Sequence, residues 1–359
     1  MKNKKILLSI AFAFLAAGCN PFSQPLPAGI IKSANGGADW QFSNAVKGST
    51  SASLSGLSIS KLAFDPNNRQ TLFAGTYADG LFRSDDSGAG WSKILSKIFV
   101  YDFAVNPVNS KIIYAAGLCV DRGCLLKTSD GGGSWTNNAP GYSAPLATTQ
   151  NPVRAVAINP LNPNQIVIGT SAGDIIKSAD GGISWQLAKD FGDQINRLLW
   201  QGGNVYALLK TKGLFVSSGF ADNFTEATAG LSKTANALTL AYNQNGIGNF
   251  SQVYVDTAAT GLIYITTDKG LYKTVDNGKT WAAVSLPVKP ADNSPRAITV
   301  APASSNIVFA SIGATVYKSL DGGTTWQTQN TKVLSGFINY ILIDPSLPQL
   351  VYAGVYSTQ

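Results

Sequence analysis

The chain has 359 residues, with 36 glycines and 16 prolines, and charged residues make up only 13 %, about half the usual share. It has no histidine, which excludes a Ser-His-Asp triad, a Cys-His pair, a histidine general base and His-ligated zinc. The acids are 19 Asp and one Glu, Glu226; surface helices lean on Glu and Lys, so this composition argues against a helical protein. Apolar residues at 45 % and aromatics at 10 % can still build a large core, and an all-β, turn-rich fold is expected.

Residues 1–18 read as an export signal. Lys2, Lys4 and Lys5 precede the apolar run from Ile6 to Ala17, the order of a secretory leader. The formal charge of the whole chain is +7; without those three lysines 24 bases face 20 acids, a balance of +4. No Lys/Arg run follows the signal, so nucleic acid is set aside as a partner. Leu15-Ala16-Ala17-Gly18-Cys19 resembles the lipobox of bacterial lipoproteins, with Ala16 where leucine is commoner. That resemblance implies a diacylated Cys19 as the mature N-terminus, which would hold the domain on a membrane surface. Asn20 replaces the Asp that commonly retains enteric lipoproteins in the inner membrane, which points to the outer membrane or cell surface. Residues 19–28 then form a lipid-anchored tether, its three prolines forbidding regular structure.

From Gly29 onward one eight-residue pattern recurs, Ser/Thr-x-Asp-x-Gly-x-Ser/Thr-Trp. It starts at Ser33, Ser84, Thr128, Ser178, Thr274 and Ser319, and a worn copy starts at Ser217 with Phe224 in the Trp slot. Six of the seven tryptophans close a copy: Trp40, Trp91, Trp135, Trp185, Trp281 and Trp326. The aromatic-to-aromatic spacings are 51, 44, 50, 39, 57 and 45 residues, each the length of one four-stranded antiparallel unit. A strand precedes each copy (GIIK, GLFR, CLLK, DIIK, GLFV, GLYK, TVYK), and upstream strands end in turns such as LAFDP, FAVNP, VAINP and ILIDP.

The motif reads as a hairpin staple between the third and fourth strands. Asp at its third position (Asp86, Asp130, Asp180, Asp276, Asp321) accepts backbone hydrogen bonds from its own turn. Gly at the fifth permits a positive φ, and Trp at the eighth packs back over the turn. One carboxylate per turn supplies too few oxygens for calcium, so no metal or cofactor is expected. Gly336 to Tyr356 supplies two strands and Ala28 to Phe42 supplies two more with their motif. Two plus two completes a unit. The expectation is an all-β, seven-bladed propeller over residues 29–359, its ring closed by both termini.

The motif resembles the Asp-box (BNR) repeat over nearly the whole mature chain. Three branches bear on function: photosystem II assembly/stability-factor-like propellers, sortilin-type receptors, and sialidases with xyloglucan-type glycosidases. Sialidases need an Arg-Ile/Leu-Pro signature and a Tyr–Glu pair. The chain lacks that signature, and Glu226 lies beside the worn repeat. Xyloglucan-type glycosidases use two Asp carboxyls and no histidine. The Asp residues that neither the motifs nor the Asp-Pro turns of Asp65 and Asp344 explain include Asp79, Asp102, Asp174, Asp193, Asp256, Asp268 and Asp292. A facing pair among them would support cleavage.

The six arginines are sparse enough to read. Arg154, Arg197 and Arg296 each start a first strand, near the central channel, with Lys61 and Asp102 at matching places in other blades. They are candidate ligand residues, a cationic ring for a carboxylate, a sugar acid or an acidic loop; the alternative is a wetted channel rim. Cys119 and Cys124 are expected to form a disulfide across a loop base. Tyr77, Tyr101, Tyr142, Phe191 and Trp200 lie outside the motifs; they are read mostly as core or blade interface. The segments Lys47–Ser60, Ala139–Pro152, Leu231–Ser251 and Val288–Pro295 would decorate the ring. The reading is a monomeric, non-enzymatic envelope lipoprotein that binds a protein or peptide, possible roles including that of an assembly factor. The alternative is a polysaccharide-binding or polysaccharide-cleaving protein.

Overall fold

The computed structural model describes residues 29–120, 122–138, 151–231, 249–256, 261–288, 294–334 and 336–357. The signal, Cys19 and the tether lie outside the described residues, as do Tyr142, Asp292 and most of three of the four decorating segments. Among the described residues, twenty-eight strands form seven four-stranded antiparallel sheets. Six sheets are consecutive in sequence and are numbered here as blades 1 to 6, from Ile59 to Gln329. Blade 7 joins Phe337–Ile343 and Val351–Tyr356 to Gly29–Ser33 and Gln41–Phe42. Gly29–Ser33 pairs with the last strand over five residues, from Gly29 opposite Val355 to Ser33 opposite Val351. The two chain ends therefore close the ring as the repeat count requires.

The first strands of successive blades touch one another around a closed circle, so they line the central channel. In chain order they are Ile59–Phe64, Phe99–Val105, Val153–Ile158, Ile195–Gln201, Phe250–Val255, Pro295–Ala301 and Phe337–Ile343. Second strands such as Leu72–Thr76 and Ile166–Thr170 are buried throughout, and the short polar fourth strands face solvent. Apolar residues form seven separate clusters, and each spans the seam between two neighbouring blades. The core is thus a ring of seams, and burial of apolar surface holds blade to blade.

The repeated motif makes the same turn six times. In five copies the Ser/Thr hydroxyl donates to the Asp carboxylate at 2.7–2.8 Å and accepts the N–H of the fifth residue at 2.8–3.0 Å. The Asp in turn accepts the N–H of the seventh residue at 2.8–3.0 Å. The fourth and fifth residues both have positive φ, 71° and 89° at Gly181 and Gly182. The first copy swaps its partners: Asn35 replaces the Asp, and its amide donates to Asp39 at 2.8 Å. In the worn copy Gly219 replaces the Asp, and the buried Ser217 hydroxyl has no partner among the described residues. Asp222 instead pairs with Lys177 of blade 3.

Candidate functional site: the channel mouth

Antiparallel blades sort the turns between two ends of the ring. Turns from first to second and from third to fourth strands, including every motif turn, lie at one end. The second-to-third turns and the blade-to-blade connections lie at the other, where each first strand begins. That second end is the channel mouth.

Every first strand carries one register shift at its start, between Ile59 and Lys61, Val100 and Asp102, Val153 and Ala155, and so on round the ring. Each shift inserts one unpaired residue. This splits the expected cationic ring. Arg154 and Arg296 are inserted residues, in line with Tyr101 and Asn339. Arg197 is the residue after the insertion, in line with Lys61, Asp102 and Gln252. A one-residue offset of this kind changes where a side chain is delivered.

The residues after the insertion bond to one another across blades. Lys61 donates to Asp102 at 2.6 Å and to the carbonyl of Phe103 at 2.7 Å. The buried Asp102 also accepts the N–H groups of Phe103 and Val156 at 2.8 and 3.0 Å. Lys61 is therefore one half of an internal ion pair rather than a cation offered to a ligand. Arg197 donates to Gln252 at 2.9 Å, and Gln252 to the carbonyl of Asn339 at 3.1 Å. Gln252 reaches past blade 6, where the small Ala297 occupies the matching position. Asn339 donates to the carbonyl of Ile59 at 2.9 Å, which completes a chain from blade 4 to blade 1.

Three inserted residues, Tyr101, Arg154 and Arg296, join an aromatic arc. Arg154 lies 4.0 Å over the ring of Tyr101. Tyr101 meets Tyr77 edge-on at 5.9 Å, and Tyr77 meets Tyr356 at 5.5 Å. Tyr356 is the strand partner of Phe337, and Arg296 lies 4.2 Å over Phe337. Burial lowers the pKa of Arg154, Tyr77 and Tyr101 oppose that shift, and the like charge of Arg197 adds to it. An arginine remains charged through such a shift. Among the described residues none of the three arginines has a carboxylate partner. Among the described residues the mouth therefore carries guanidinium charge without a carboxylate partner, braced by rings that hold it flat.

Inside the channel two cavities of about 320 and 310 Å³ share Leu199 and Trp200, and no carboxylate lines either. Trp200 stacks on Phe220 at 5.8 Å, and Phe191 packs on Phe215 and Phe224; both are blade-interface residues. Among the described residues Asp79, Asp102, Asp174 and Asp193 have partners in the fold, and Asp256 is engaged as well. Asp79 pairs with Lys93 at 2.5 Å, Asp102 with Lys61, and Asp174 accepts from Thr170. Asp193 accepts the N–H groups of Thr211 and Lys212 at 2.8 Å. Cys119 and Cys124 form a disulfide with Cα atoms 5.8 Å apart, at a second-to-third turn on the mouth end. Among the described residues no three metal-ligating side chains converge.

No protein-family model and no curated protein matches the chain. Solved structures do resemble it. The GH74 xyloglucanase from Xanthomonas campestris superposes with a TM-score of 0.65 at 17 % identity over 84 % of this chain. The chain spans 51 % of that enzyme's length. YCF48 bound to D1 peptide gives 0.61 at 16 % identity, covering 84 % of this chain and 93 % of that one. YCF48 from Cyanidioschyzon merolae gives 0.59 at 16 % identity, covering 83 % and 95 %. At these identities the likeness establishes the seven-bladed propeller fold, which is common to a peptide-bound protein and a glycoside hydrolase.

Proposed function

We propose that this chain is an exported, lipid-anchored propeller that binds an acidic segment of a protein partner at its channel mouth and does no chemistry of its own. The observation that carries the reading is the stacking of Arg154 on Tyr101 at 4.0 Å, near Arg197, with no carboxylate partner for either arginine among the described residues. A guanidinium with its face covered by a ring presents its N–H edge to an incoming carboxylate. The likeness to YCF48, whose structure holds a D1 peptide, supports a peptide as the ligand class. The likeness to GH74 enzymes supports the other reading, cleavage of a polysaccharide. Cleavage needs two carboxyls about 5–9.5 Å apart; Asp79, Asp102, Asp174 and Asp193 are each engaged within the fold, which leaves Asp268, with one buried oxygen unpartnered among the described residues, as the candidate for that reading.

The test is a crosslinked pull-down of the anchored protein from its host beside an Arg154→Ala, Arg197→Ala, Arg296→Ala variant. Enrichment of one envelope protein by the parent chain and its loss in the variant is expected. If equal amounts of that protein come down with both, the mouth is not the site. If no protein is enriched and a glycan is shortened by the parent chain, the enzymatic reading replaces this one.

A further inference from the structure

The two ends of the ring differ in what stands beside their exposed apolar side chains. At the mouth end Val120 is 90 % exposed, Leu334 77 % and Phe99 46 %. Each lies on a turn or strand start of that end, and each has a base two residues away: Arg122, Lys332 and Lys97. Asp121 stands between Val120 and Arg122, so the charge argument rests chiefly on the other two tips. At the motif end Val108, Leu161 and Ile183 are 71 %, 86 % and 85 % exposed, and three of the apolar tips there keep company with acids. Val275 and Leu320 directly precede the motif carboxylates Asp276 and Asp321, and Ile183 follows Asp180 by three residues. Apolar tips flanked by bases suit an anionic lipid surface, and apolar tips flanked by carboxylates are repelled by one.

The chain also enters the ring at the mouth end. Gly29 begins its strand opposite Val355, beside Tyr356 of the aromatic arc. Nine residues, 20–28, lie between Cys19 and Gly29, a reach of at most about 36 Å when fully extended. An acyl chain on Cys19 therefore tethers this end of the ring close to the bilayer that holds it.

We infer that the mouth end is a membrane-docking face, which rests on an anionic bilayer surface through Phe99, Val120 and Leu334 with their neighbouring bases. The guanidiniums of Arg154, Arg197 and Arg296 then lie at the lipid–water boundary. Tyrosine rings are at home in that zone. The inference shares with the proposed function the acylated Cys19 and the mouth with its three arginines, but its test uses neither the acyl chain nor those arginines.

Residues 29–359 contain every described strand and the ring closure, so this part is used without signal or tether. Its partition onto vesicles of phosphatidylcholine with about 30 % phosphatidylglycerol is compared with pure phosphatidylcholine. Co-sedimentation with the anionic vesicles, weakening as salt rises, is expected. Val120→Asp with Leu334→Asp lowers that partition by about tenfold or more, while Leu161→Asp with Ile183→Asp at the opposite end leaves it within about twofold. All four residues are exposed, so a circular-dichroism melt checks that each pair folds as the parent does. Equal loss from both pairs, no loss from the mouth pair, or no preference for anionic vesicles each overturns the inference. None of these outcomes bears on whether a protein partner is captured in the pull-down.

Discussion

Lys318 in the third strand of blade 6 donates its ammonium to the carbonyl of Gly36 in blade 7 at 2.8 Å, across 282 residues of sequence. The acceptor is the fourth residue of the neighbouring motif turn, whose positive φ turns its carbonyl outward. The same latch joins Lys32 to Ser87, Lys127 to Gly181, Lys177 to Phe220 and Lys273 to Gly322, at 2.8–3.1 Å. At three of these acceptors a tyrosine hydroxyl donates as well: Tyr352 to Ser87, Tyr114 to Gly181 and Tyr264 to Gly322. Among the described residues Gly36 has no such second donor, because Phe309 stands opposite Lys318 where blades 2, 5 and 7 have tyrosine opposite the lysine.

That difference orders a mutation series. Lys127→Met leaves the Gly181 carbonyl bonded to Tyr114 and is expected to cost about 1 kcal/mol. Lys318→Met leaves the Gly36 carbonyl with no side-chain donor and is expected to cost about 2 kcal/mol. In the worn blade Val216 holds the lysine position, paired with Tyr206. Val216→Lys restores the donor and is expected to raise stability. Urea titrations of the three variants check the order; equal costs for Lys127→Met and Lys318→Met would show that the tyrosine does not share the load.

The motif carboxylates are expected to set the acid limit of the fold. Asp180, Asp276 and Asp321 are each held at a pKa of about 2. The leading cause is the hydroxyl of Ser184, Thr274 and Thr325 respectively, followed by further hydroxyl and backbone N–H donors. Unfolded, these groups titrate near ~3.9. Their folded pKa is depressed, so their contribution is fully present above about pH 4 and is lost as the pH falls through about 2. Melting temperature is expected to hold from neutral pH to about 4 and then fall. Asp180→Asn, Asp276→Asn, Asp321→Asn together should flatten that acid limb at a modest cost at neutral pH, since Asn35 already fills the same position in the first copy. Melts at half-unit steps decide it; an acid limb as steep as the parent's would place the titrating groups elsewhere.

The ring was legible because its information is periodic. A motif that returns every 39 to 57 residues, with two strands missing at one end of the chain and two at the other, specifies seven units and their closure. The latch residue is visible too, as the lysine before the motif in GIIK, CLLK, DIIK, GLYK and TVYK, and its absence in GLFV, but its acceptor in the neighbouring blade is not. What the repeat hides is register. The inserted residue at each first-strand start depends on pairing with the second strand, so Arg154, Arg197 and Arg296 look equivalent in sequence. In the fold they fall into two sets. The pairing of Lys61 with Asp102 is likewise a contact between blades, for which neither residue's local sequence carries a signal.

That pair yields the sharpest energetic test. Asp102 is buried, and Lys61 is its only cationic partner among the described residues. Lys61→Met removes the cation and leaves a buried carboxylate held by the N–H groups of Phe103 and Val156 alone. Breaking one side of such a pair costs about 3 kcal/mol. Asp102→Asn keeps an acceptor for those N–H groups but strands the ammonium, which reaches partial solvent, so a smaller loss is expected. With both changes made, no unpaired charge remains, and the double variant is expected to be more stable than Lys61→Met alone. The cycle is read by denaturant titration of all four proteins. Strict additivity would mean that the 2.6 Å contact contributes nothing in solution, and Lys61 would return to the set of cations available to a ligand at the mouth.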